Sequence, residues 1–133
     1  MGYESALHLV GIKIRPSALS GLLRTLSGGK SRRPARLDFY FDLLVVDEDG
    51  FLRFKASKDG LDPYVADEEG TVPALLGKWY NAEQFARWLK RYSEEGGRVV
   101  LHSAEADGET WGWEFDGKGR MRALYLVPWG KWK

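Results

Sequence analysis

The stretch from Thr110 to Lys133 constrains the fold most. Residues 109–115 and 121–128 read as strands, and Asp116 and Gly117 between them read as a turn, so the segment is expected to be a β-hairpin. Pairing Phe115 with Met121 sets Glu114 opposite Arg122 and Trp113 opposite Ala123. Those pairs put opposite charges side by side and a large ring beside a small methyl. Four of the six tryptophans lie in this stretch, and its last residues carry cations without an acid. A chain committed to antiparallel pairing at one end needs further strands to make an independently stable sheet.

A second hairpin is expected from 37–46 and 51–58 around Asp47-Glu48-Asp49-Gly50. Pairing Val46 with Phe51 places Leu43 opposite Phe54 and gathers Phe39, Phe41, Leu43, Val45, Leu52, Phe54 and Ala56 on one face. Residues 3–14 read as a first strand, apolar on both parities and therefore covered on both faces. Residues 98–105 read as another strand. Two helices are expected. In 17–27, Leu19, Leu22, Leu23 and Leu26 form one stripe, with Ser17 as cap and Gly28-Gly29 as left-handed stop. In 82–95, Phe85, Trp88, Leu89 and Tyr92 form the stripe, Asn81 and Gln84 suggest a capping box, and Gly96-Gly97 stop the helix. Residues 59–78, with Pro63 and Pro73, read as a long loop with a partial helix around Ala74–Leu76.

The order β-α-β-β-α-β-β-β points to an α+β fold: a single domain over 1–133, an antiparallel sheet with two helices on one face. Its first six elements follow the ferredoxin-like plan and the last two strands extend it. A chain of 133 residues is long enough to bury one core without staples. Residues 28–36 form a basic connector that lacks both acids and large apolar groups, and it is expected to be flexible.

Several chemistries lose support. Without cysteine there is no disulfide, zinc–thiolate site or thiol catalysis, and a reducing, cytoplasmic setting is the expectation. No apolar run approaches a membrane span, and no secretory signal is visible at the N-terminus. Gly2 is followed by Ala6 where a myristoylation signal wants Ser or Thr. Ser27-Gly28-Gly29-Lys30-Ser31 resembles a phosphate loop only in its Gly-Lys-Ser triplet, because a helix precedes it and a basic coil follows. Asp47 and Asp49 lack the downstream ligands of a calcium loop. His8 and His102 would need to share one face of adjacent strands and find a third ligand to hold a metal. The acidic groups fall in turns, loops and helix ends, where solvation is the default. No catalytic residue, cofactor site or metal site is therefore assigned.

Met1–Ser5 followed by an alternating strand, and the tryptophan-rich strand with its Asp-Gly turn, resemble small uncharacterised proteins of actinobacteria and their phages. The resemblance covers about a quarter of the chain and implies a compact α+β domain with no activity assigned to it. A setting in phage or mobile-element biology is the corresponding expectation, and no site residue is carried over.

The functional expectation is a non-enzymatic protein–protein interaction module: an accessory, adaptor or inhibitor protein. Trp129 and Trp132, with Arg120, Arg122 and Lys131, are the candidate contact residues, because aromatic side chains and Arg dominate interface energetics. The alternative is a nucleic-acid-binding domain that uses Lys30, Arg32, Arg33 and Arg36 with the basic aromatic C-terminal segment. Cross-strand pairing with Glu114 and Asp116 would satisfy part of that charge internally.

Overall fold

A computed structural model describes residues 5–28, 37–54, 63–65, 73–77, 79–103, 110–125 and 127–128. Among these residues nine strands run in chain order: β1 (Ser5–Val10), β2 (Leu44–Val46), β3 (Leu52–Phe54), β4 (Pro63–Val65), β5 (Pro73–Gly77), β6 (Glu95–Ser103), β7 (Thr110–Asp116), β8 (Met121–Tyr125) and β9 (Val127–Pro128). Helices are α1 (Leu19–Ser27), α2 (Asp38–Phe41) and α3 (Ala82–Leu89), with a short 3-10 turn at Pro16–Ala18.

Among the described residues seven strands form one sheet in the order β4-β5-β1-β6-β7-β8-β9, and its neighbouring strands pair antiparallel. The fold is α+β. In a ferredoxin-like plan a strand of the first predicted hairpin would lie beside β1. Here β5 takes that place, and β2 and β3 form a separate two-stranded sheet. β4 and β5 both come from the stretch expected to be loop, where the two prolines had argued against strands. Ala74–Leu76 is strand rather than helix.

The hairpin expected from 37–46 and 51–58 also departs from its expected register. Residues Asp38–Phe41, expected as part of a strand over 37–46, form α2 instead. Leu44 then pairs with Phe54, Val45 with Arg53 and Val46 with Leu52, one residue away from the expected alignment. The slip turns Leu44 inward and leaves Val45 exposed. The turn itself supplies the reason. Asp47 Oδ1 accepts from the amides of Asp49 and Phe51, and the Asp47 amide donates to the Phe51 carbonyl, so a three-residue loop pairs 47 with 51.

β1 stops at Gly11, and the chain continues as Ile12–Ile14 along two other elements. The Leu52 amide donates to the Ile12 carbonyl, and the Glu94 amide to the Lys13 carbonyl. Ile12 and Ile14 are buried between them. α1 buries Leu22 and packs Leu19 and Leu26 on the core, but Leu23 is exposed. Its entry is the Pro16 turn rather than a Ser17 cap, and Gly28 has a right-handed φ of −80°. α3 is shorter than expected. Asn81 precedes it in a left-handed conformation, φ 61°, without a side-chain cap. Gly96 belongs to β6, where φ 94° lets the strand bulge.

The core lies on the sheet face that carries Leu7, Leu9, Val99, Leu101 and Phe115, under α2 and α3. Tyr40 stacks on Phe85 at 4.3 Å between centroids, Phe41 meets Trp88 at 4.6 Å, and Trp88 meets Tyr92 at 4.9 Å. The Trp79 indole donates to the Ser5 carbonyl, and the Tyr40 hydroxyl to the Tyr80 carbonyl, so both polar tips are satisfied. Burial pushes the Tyr40 hydroxyl far above the usual tyrosine range. Among the described residues no helix is long and apolar enough to cross a membrane.

Candidate functional site

The C-terminal hairpin has the register expected of it. Phe115 faces Met121, Glu114 faces Arg122, and Trp113 faces Ala123. Asp116 closes the turn with the same device as Asp47. Its Oδ1 accepts from the amides of Lys118 and Arg120, and Oδ2 takes the Arg120 guanidinium at 2.7 Å. Burial raises the Asp116 carboxyl, and the two amides and Arg120 outweigh it, leaving the group below the usual carboxylate range.

Two residues back on the same strand, Glu114 sits between two guanidinium groups. Arg98 on β6 reaches Oε2 at 2.7 Å, and Arg122 on β8 reaches Oε1 at 2.8 Å. The three side chains cross three strands in a row. Burial acts to raise Glu114, but the hydrogen bonds and charges of Arg98 and Arg122 prevail and hold it low. Arg120 and Arg122, two of the expected contact residues, are thus already paired with acids, while Arg120 remains half-exposed. Arg98 was not anticipated. Without the bulge at Gly96, a register running on from Glu95 and Asp116 would put Gly97 opposite Glu114; the bulge brings Arg98 there.

On the opposite face, β7 and β8 carry Trp111, Trp113, Phe115 and Tyr125. Phe115 is fully buried, Trp111 and Trp113 are half-buried against the core edge, and Tyr125 is 40% exposed. These last three rings, with Ala123, Leu124, Gly112 and Glu83 of α3, line an open groove of about 440 Å³. Glu83 is tied to Arg87 at 2.7 Å on the helix surface. Gly112 is required for the close approach of β6: a Cβ there would stand 2.0 Å from the Val99 carbonyl oxygen.

No family model, curated protein or solved structure matches this chain.

β1 and β6 pair so that Ala6 faces His102 and His8 faces Val100, which puts both histidines on one sheet face as diagonal neighbours. His8 is buried, and His102 Nδ1 lies 2.7 Å from the Thr110 hydroxyl. Among the described residues no cluster of three His, Cys, Asp or Glu side chains could hold a metal ion. Trp129, Trp132 and Lys131 lie outside the described residues, as do Lys30, Arg32, Arg33 and Arg36 and nearly all of the 28–36 connector. The structure therefore joins Arg120 and Arg122 to Arg98, Glu114 and Asp116, and adds the groove lined by Trp111, Trp113 and Tyr125.

Proposed function

We propose that this chain is a non-enzymatic protein–protein interaction module, an accessory, adaptor or inhibitor protein. Its contact residues are Arg120 and Arg122, on the face of β8 that bears Glu114, with Trp129, Lys131 and Trp132 of the C-terminal segment, and the groove on the other face adds apolar area. The observation that carries the reading is the open groove lined by Trp111, Trp113 and Tyr125. Large rings at the end of a sheet, partly uncovered, offer area that a partner can desolvate at little cost in rotamer entropy. The C-terminal segment adds Lys131 and Lys133 beside its tryptophans, so the partner surface is acidic with an apolar pocket. On the sheet itself Arg120 and Arg122 spend their charge on Asp116 and Glu114. That leaves less cationic surface for a nucleic-acid backbone.

The test compares the full chain with one truncated after Pro128, using the protein that co-purifies with the full chain as ligand. The truncated chain is expected to unfold cooperatively as before and to lose the partner. Retained binding would remove the C-terminal segment from the surface. Retention of DNA or RNA that collapses with added salt, with no protein partner, would favour the nucleic-acid alternative.

A further inference from the structure

The groove on β7 and β8 carries a charge as well as rings. Trp111 and Trp113 are two positions apart on β7, so they share a face, with attachment points roughly 7 Å apart along the strand. Tyr125 lies opposite Trp111, and the small Ala123 lies opposite Trp113, which leaves the space beside Trp113 open. Trp79 and Trp88 lie against other rings. Among the described residues no ring lies against Trp111 or Trp113. Of the residues that line the groove, Glu83 alone is charged. Its carboxylate is half satisfied. Arg87 donates to Oε2 twice, at 3.0 and 2.7 Å, and among the described residues nothing donates to Oε1. The same molecule shows what one carboxylate can hold: Glu114 takes Arg98 on Oε2 and Arg122 on Oε1.

We infer that the groove takes an arginine side chain of a partner protein, lying on the rings of Trp111, Trp113 and Tyr125 and paired with Glu83 Oε1. Ring faces and a carboxylate both attract a cation. A guanidinium suits this site better than an ammonium, because its plane can lie flat on a ring while its edge reaches the carboxylate. An apolar side chain would meet the rings but would strip water from Glu83 without replacing it. The partner then presents acid to the C-terminal cations and one arginine to the other face of β8. That the guanidinium belongs to a partner rests on the interaction reading above; the preference of the groove for it does not.

The test titrates the full chain with short blocked glycine peptides that carry one central arginine, citrulline, trimethyllysine or leucine. The indole resonances of Trp111 and Trp113, assigned by single Trp→Phe substitutions, report binding. The arginine peptide is expected to shift both. Citrulline keeps the shape and lacks the charge, and should bind about fivefold more weakly. Glu83 and Arg87 are both half-exposed, so substitution of either keeps the fold. Glu83→Gln should weaken arginine binding about threefold, and Arg87→Gln, which frees the second oxygen, should strengthen it about twofold. Equal binding of arginine and citrulline overturns the inference, as does tighter binding of leucine or trimethyllysine, or the absence of any shift with arginine. Partner capture is read separately. Arginine binding with no captured partner leaves the preference standing and removes the interaction reading; a partner held as tightly by Glu83→Gln as by the unsubstituted chain does the reverse.

Discussion

Two aromatic clusters in this molecule use the same side chains to different ends. Tyr40, Phe41, Phe85 and Trp88 lie between α2 and α3 and are closed on every side, each less than a tenth exposed. Trp111, Trp113 and Tyr125 lie a few strands away on the same sheet face and are open. Ring chemistry does not distinguish them. Cover does: among the described residues the first four rings are enclosed, whereas Trp111 and Trp113 are half-buried and Tyr125 is 40% exposed. An aromatic cluster becomes core or surface according to what the chain places over it, and the consequence of truncating each should differ accordingly.

The largest effect is expected in the closed cluster. Phe85→Ala should cost about 3–5 kcal/mol, a large part of the stability of an ordinary domain, because it leaves a cavity under Tyr40. Denaturant titration reads this directly, and an unchanged midpoint would open the closed cluster. Next, Gly112→Ala should cost about 1–3 kcal/mol through forced separation of β6 from β7. A neutral variant in the same titration would mean that β6 and β7 do not approach so closely at Gly112.

A third effect is set by pH. Glu114 titrates lower in the folded chain than in the unfolded one. Its contribution is therefore complete above the ordinary glutamate range near pH ~4.3 and is lost as pH falls through the lower folded value. Glu114→Gln should cost about 1 kcal/mol at neutral pH, kept modest by the solvent around Arg98, and should flatten the acid limb of the stability curve. An unaltered acid limb would free Arg98 and Arg122 from this pairing. The smallest effect belongs to the open cluster: Tyr125→Ala should change stability by no more than about 0.5 kcal/mol. A larger loss would make the groove part of the core.

Legibility in the sequence followed the locality of the determinants. The Glu114–Arg122 and Trp113–Ala123 pairs were readable because a short turn and strict alternation fix them within fifteen residues. The Phe85, Trp88 and Leu89 stripe was readable from helical spacing alone. The Leu44–Phe54 register was missed because Asp47 binds two turn amides, and α2 was missed because Phe39 and Phe41 alternate as a strand would. β5 was missed because its place beside β1 is decided by long-range pairing that no local pattern announces. Arg98 was hidden by a bulge, and the groove by the way β7, β8 and α3 come together, both properties of the assembled sheet rather than of any segment.

The most direct test of the claim that the open cluster is a surface is the affinity of the co-purifying partner for Ala123→Arg and for Phe85→Leu, set beside their unfolding midpoints. Blocking the groove should weaken binding by about 2 kcal/mol or more, roughly thirtyfold, with the midpoint nearly unchanged. The closed-cluster variant should lower the midpoint and leave the affinity of the folded fraction as it was. Equal affinities for Ala123→Arg and the unsubstituted chain would contradict the account.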